Sequence, residues 1–253
     1  METLRPMTAA SDRIMDSSFP LSTVQPGKLR IIASSFDARP MSYIDEGRRL
    51  GYEPATARAV CEKLGLEPIW CDLPLDKFYT QLSSGQYDVI WFSQPVTQER
   101  RAWADFTRAY GRFDVAVLVR DESPIETIED LKEARLGASK HSTELDLINQ
   151  LPDLEFVEFP GSDRVLPEMI EALQSQTIDA VLDDALPLLA AEAMNPDLRV
   201  AFEIPTQTPF GVGVVPGNRE LLDALNYGLN LLIAEGTLAK LWTQWIPYKS
   251  CPF

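Results

Sequence analysis

Histidine is almost absent from this chain, with His141 the only one. That removes the multi-histidine clusters on which most zinc sites depend. Cysteine is sparse too: Cys61, Cys71 and Cys251 are too few and too scattered for a disulfide framework or a metal cluster. Cys61 and Cys71 either pair across a helix–strand junction or are two small buried hydrophobes, the commoner fate of free cysteine. No stretch approaches the roughly twenty uncharged apolar residues that span a bilayer. The leader, METLRPMTAASDRIMDSSFPLSTVQPGK, has no basic start followed by an apolar run, so it is not an export signal as it stands. Its polar, proline-containing composition without periodicity predicts a largely flexible segment over 1–27. Positive charge is outweighed, with 23 Lys and Arg against 38 Asp and Glu and a net charge of −15. Such a surface keeps a protein soluble and disfavours nucleic acid and anionic membrane as partners. There is no glycine-rich phosphate loop, and no nucleophile–base pair stands out.

What is present is apolar content for real cores: 45% of the 253 residues are hydrophobic, enough for one large domain or two modest ones. Short apolar runs alternate with helical patterns. Leu29 to Ser34, Glu67 to Cys71 and Asp88 to Phe92 read as strands, separated by helices over Glu53 to Leu64 and Leu75 to Leu82. Gly65 stands where a helix stop belongs. The alternation restarts with a strand at Phe113 to Arg120. Further strands follow at 136–139, 154–159, 178–182 and 198–203, with helices over 143–151, 166–174 and 186–194. Pro205-Thr-Gln-Thr-Pro209 reads as a break before a last strand at Gly211 to Val215, and two helices, 220–235 and 237–245, end the chain. Strands and helices of these lengths indicate βαβ units around parallel sheets. Two α/β lobes are expected, with chain crossings near 111–115 and 204–210.

Three strings carry a resemblance to a known family: GYEPATARAVCEKLGL, LSSGQYDVIWFSQPVTQERRAWADFT and PFGVGVVPGNRELLDALNYGLNLLIAEGTLAKLWTQWIP. Their order and spacing over about residues 28 to 247 resemble the extracytoplasmic solute-binding proteins of the polar amino-acid uptake family. The resemblance implies an α/β, two-lobed fold of the type II periplasmic-binding-protein kind, each lobe a mostly parallel sheet flanked by helices. Residues 28–112 and 207–253 would form one lobe and 113–206 the other. The ligand would sit between them, at strand ends, where open α/β sheets generally bind ligands. It further implies a monomer outside the cytoplasm, periplasmic or anchored extracellularly, that delivers an amino acid or related carboxylate to the membrane permease of an ABC importer. No cofactor or metal is implied.

Site residues follow from the same resemblance, position by position. Arg100, closing Thr97-Gln98-Glu99-Arg100, matches the arginine that holds the ligand α-carboxylate. A guanidinium suits that task because its planar fork donates two parallel charge-assisted bonds; an exposed arginine in a charged turn, like Arg101 beside it, is the plainer alternative. Asp184, after the strand IDAVL, matches the acid that meets the ligand ammonium, with Asp183 available merely to cap the next helix. Ser142 and Thr143 open a helix whose first N–H groups point outward and suit an anion. Ser93 follows DVIWF and should line the cleft. Two positions later relatives carry a small hydroxyl residue where this chain has Pro95, which offers neither hydroxyl nor N–H; Gln94 is the candidate to compensate. Leu75 stands where many relatives carry an aromatic. Phe36, Asp37 and Arg39 are candidates for contacts to the ligand side chain, whereas Trp91 belongs to the core. Two rival functions share the fold: an enzyme resembling cyclohexadienyl dehydratase, and a ligand-sensing domain.

Overall fold

The computed structural model describes residues 21–140, 154, 156–160 and 164–253. The chain opens with β1 (Lys28–Ala33), a hairpin of β2 (Tyr43–Asp45) and β3 (Arg48–Leu50), α1 (Tyr52–Leu64) and β4 (Glu67–Asp72). A 3-10 turn at Leu75–Lys77 leads into α2 (Phe78–Leu82), followed by β5 (Val89–Pro95), a second 3-10 turn at Arg100–Ala102 and β6 (Asp105–Phe106). Then come β7 (Gly111–Arg120), β8 (Leu136–Ser139), β9 (Phe156–Phe159), α3 (Val165–Gln174), β10 (Ala180–Asp184) and α4 (Ala185–Met194). The chain closes with β11 (Leu198–Val214), α5 (Arg219–Ala234) and α6 (Thr237–Trp245). No helix among the described residues is long and apolar enough to cross a membrane.

The strands hydrogen-bond in the order β4-β1-β5-β11-β7-β10-β8-β9, with β6 added against β11. Pairing is parallel at both outer ends, where β1 joins β4 and β5 and β8 joins β10 and β9. It is antiparallel in the middle, where β11 meets β5 and β7, and β7 meets β10. The expected parallel sheets are therefore right for the outer strands, while the two long strands that cross between the halves impose antiparallel neighbours.

The hydrophobic core divides accordingly. One set of buried side chains joins Leu29, Tyr52, Val89, Trp91, Phe210 and Leu225, with a neighbouring cluster around Ile32, Phe78 and Phe92. The other set joins Val117, Leu136 and Leu182 on one face of the far sheet and Leu118, Met169 and Leu188 on its other face. Aromatic rings concentrate where the crossings begin. Tyr110 meets Phe210 edge-on at 4.8 Å, and Phe113 stacks on Phe210 at 5.5 Å; such pairs add about 1 kcal/mol each beyond the area they bury. A Cβ on Gly111 would lie 2.0 Å from the Phe210 ring, so only glycine lets the first crossing strand start there.

Helix α1 buries Tyr52, Thr56, Ala57, Val60 and Cys61 against this core. Its start is tied to the loop after β1: the Tyr52 N–H donates to Pro40 O at 3.1 Å and the Glu53 N–H to Met41 O at 3.0 Å. Gly51 makes that approach possible, with φ 118° and a would-be Cβ only 2.4 Å from Met41 O. Helix α5 begins at Asn218, whose side chain accepts the Leu221 N–H at 3.1 Å, as an N-cap should.

Several sequence expectations are revised. Residues 198–203 and 211–214 belong to one strand, β11, which runs on through Pro205 and Pro209. Its register against β7 slips between Ile204 and Thr208, so Pro205 sits where no ladder N–H is required. The hairpin β2–β3 and the short β6 went unread. The end of the leader is held in place: the Val24 N–H donates to Asp88 Oδ1 at 2.7 Å and Asn218 Nδ2 to Ser22 O at 3.0 Å. Cys61 and Cys71 are free thiols, and burial pushes Cys61 up to about 12. The helix expected over 143–151 lies outside the described residues.

Candidate functional site

A cavity of about 580 Å3 opens between the two halves, within the size range of small-molecule sites. Phe36, Met41, Tyr79, Ser93 and Arg100 line it from one half, and Ser139, Asp183, Asp184 and Leu186 from the other. A second cavity, of about 510 Å3, lies beside the hairpin and is lined by Arg48, Arg49, Arg58 and Trp70. Its most buried cation is already satisfied, since Arg49 donates to Ser34 O at 2.8 Å, to Ser42 Oγ at 2.9 Å and to Asp72. The interlobe cavity differs in holding Arg100, whose buried Nη1 has no hydrogen-bond partner among the described residues.

Arg100 stands on the turn that follows β5. Its N–H donates to Thr97 Oγ1 at 3.2 Å, which fixes the turn. The guanidinium lies 6.0 Å from the Tyr79 ring, within the range of a cation–π contact. Its Nη1 is buried with no hydrogen-bond partner among the described residues, whereas Arg101 is exposed. A buried guanidinium N–H without an acceptor costs free energy until an anion supplies one. Tyr79 is itself committed: its hydroxyl donates to Gln94 Oε1 at 2.7 Å, and burial raises it to about 12. Gln94 Nε2 in turn donates to Phe92 O at 2.5 Å, so this amide, expected to replace a missing hydroxyl, is engaged within the wall.

Asp184 is the last residue of β10, registered opposite Val115 of β7, and α4 starts at the next residue. Its carboxylate makes no capping bond to that helix. Asp183 accepts the Asp184 N–H at 2.8 Å, and both residues line the cavity.

Ser93 lies on the cavity wall in β5 with φ 42°, a left-handed conformation rare for a non-glycine residue. Next to it the β5–β11 register shifts between Gly211 and Gly213, so the strand bulges at the cleft. The displaced Ser93 N–H donates to Glu53 Oε1 at 2.6 Å, and the Tyr110 hydroxyl donates to the same oxygen. Glu53 is fully buried, and burial pushes its carboxyl up to about 7 against the opposing pull of these hydrogen bonds and the Arg49 charge. Sequence reading missed Glu53 except as a helix start, because an acid in a first helical turn ordinarily faces solvent and complements the helix dipole.

The remaining candidates separate. Phe36 lines the cavity and packs against core side chains of both halves. Asp37 and Arg39 pair with each other at 3.6 Å, and Arg39 lies 4.2 Å from the Tyr43 ring; neither lines the cavity. Leu75 lines its rim and is 40% exposed. His141, Ser142 and Thr143 lie outside the described residues.

Comparison with known proteins bears on the family and the fold. The family of bacterial extracellular solute-binding proteins, family 3, matches residues 31–248. ABC transporter arginine-binding protein 1 of Escherichia coli (strain K12) is 28% identical over 204 residues, covering 78% of this chain and 82% of that protein. The L-cystine-binding protein TcyJ of the same strain is 28% identical over 204 residues, covering 79% and 76%. Among solved structures, an ancestral arginine-binding protein bound to glutamine superposes with a TM-score of 0.76 at 28% identity, covering 87% of this chain and 97% of that one.

Proposed function

Because the chain belongs to the bacterial extracellular solute-binding proteins of family 3, we propose that its cleft takes a free α-amino acid and hands it to the permease of an ABC importer. In this reading Arg100 receives the ligand carboxylate and Asp184 its ammonium, with Ser93 and Phe36 against the rest of the molecule. The observation that carries it is the buried Nη1 of Arg100, which has no hydrogen-bond partner among the described residues, in a cavity whose other wall includes Asp184. A zwitterion supplies the anion and the cation together, and each charge contact strengthens where closure excludes water. The ligands named for the relatives, arginine and cystine, have the same α-amino-acid head. Ser142 and Thr143 join the site by resemblance, as donors to the carboxylate.

The lobes in this reading are 28–112 with 207–253, and 113–206. The change of core between Phe113 and Val115, and again between Ile204 and Phe210, supports those limits. Contacts from Arg100 and Asp184 can be made by one ligand only when the lobes meet, so the ligand stabilises the closed form through its differential contacts. The protein then works outside the cytoplasm as a monomer that binds without chemistry.

A thermal-shift panel of amino acids and related small acids tests this, since a ligand that binds only the native state raises apparent stability. At least one α-amino acid should raise the midpoint, and Arg100→Ala should abolish the shift while the unliganded midpoint stays near wild type. Unchanged calorimetric affinity in that variant rejects the assignment. Conversion of cyclic acids during incubation would replace the binder with an enzyme.

A further inference from the structure

Behind the cleft wall lies a buried carboxylate that no direct ligand contact explains. Glu53 is 0% exposed, and its Oε1 accepts two donors from different parts of the fold. One is the Ser93 N–H, at 2.6 Å, from the bulged strand that faces the cavity. The other is the Tyr110 hydroxyl, one residue before β7 begins its crossing and in edge contact with Phe210 on the second crossing strand. The backbone of Glu53 holds a third element, because its N–H donates to the carbonyl of Met41, itself a cavity-lining residue. Ser93 would not hold φ 42° unaided, since its amide is turned away from the sheet ladder and Glu53 is what receives it.

We propose that Glu53 is a positioning residue of the binding site, its carboxylate tying the cleft-facing Ser93 to Tyr110 at the root of the first crossing strand, so that the cleft wall and the hinge rearrange together. The ionised carboxylate makes charge-assisted bonds to both donors, which are stronger than those of the neutral acid. Protonation therefore loosens Ser93 and the crossing at once. The charged and titratable groups around Glu53 are Tyr110 and Tyr52, both held neutral by burial, and Arg49, whose charge favours ionisation.

The inference rests on the cleft being the amino-acid site, and the test separates the two. In amide-resolved NMR of the ligand-free protein, the Ser93 and Gly111 resonances should move with one shared midpoint near pH 7, and Glu53→Gln should abolish the movement. Tyr110→Phe deletes a donor to the carboxylate and should shift the Ser93 midpoint to higher pH. In calorimetry with L-arginine, L-histidine and L-glutamine, the wild type should bind the best of the three more tightly as pH rises from 6 to 8. Each unit by which that amino acid lowers the Glu53 midpoint gives about a tenfold change in affinity. Glu53→Gln should show only the residual slope common to both proteins, which includes any contribution of His141. A Ser93 resonance that does not titrate, or a Gly111 resonance that moves with a different midpoint, overturns the coupling; so does a Glu53→Gln affinity profile that follows the wild type. If none of the three amino acids binds the wild type, the reading of the cleft falls, and the two resonances still decide the role of Glu53.

Discussion

The two walls of the cleft hold their charges by different means. Asp184 is placed by sheet register: it ends β10, pairs with Val115 of β7 and is followed at once by α4. Arg100 is placed by a turn, beyond the end of β5, fixed through Thr97 and laid against Tyr79. A residue set by a central strand moves only if the strand moves, whereas one set by a turn depends on a few local bonds. The acid is thus the fixed point of the site and the arginine the adaptable one.

The largest way to break this arrangement is Arg100→Ala, which in the proposed reading leaves the ligand carboxylate without its partner and should weaken amino-acid binding by about 100-fold or more, on the order of 3 kcal/mol, by calorimetry. Arg101→Ala, on the exposed neighbour, should leave affinity within about twofold.

A second effect appears in stability. The Glu53 carboxyl titrates at 4.5 in an ordinary setting and near 7 when buried here, so the folded chain holds this proton more tightly than the unfolded one. Its contribution is complete below about pH 4.5 and is lost as pH rises through 7. Over that window it should remove about 3 kcal/mol of stability. Denaturant unfolding of Glu53→Gln should lack this decline.

Asp184→Asn should cost about 2 kcal/mol of affinity, since in the proposed reading it exchanges a charge-assisted bond to the ligand ammonium for a neutral one while keeping the shape. Smallest is Tyr79→Phe, which removes the hydroxyl bonded to Gln94 but keeps the ring beside Arg100. It should change affinity by less than about 1 kcal/mol. A large loss there would mean that the turn wall is as rigid as the strand wall.

How far the residues announced themselves follows from the same contrast. Strand ends can be read from apolar runs, and the resemblance assigns chemistry to them, so Ser93, Arg100 and Asp184 are legible in the sequence, and all three line one cavity. Asp37 and Arg39 could not be placed, because a loop gives no periodicity from which to tell an inward side chain from one that pairs with its neighbour. Glu53 was illegible for a different reason: its burial is created by Tyr110 and by the bulge at Ser93, both distant in sequence. The continuity of β11 was hidden by two prolines that ordinarily signal a break.

That continuity has a mechanical consequence. A seventeen-residue strand that belongs to both halves makes the joint a bending ribbon rather than a pivot on a slack loop. Flexure should gather at its discontinuities, where pairing slips near Phe202, between Ile204 and Thr208, and between Gly211 and Gly213. Those interruptions act like scored lines across a card, and they divide the travel so that no single peptide must absorb all of it. Amides beside the scores should exchange with deuterium ahead of the well-paired stretches on either side, and a bound ligand should slow them.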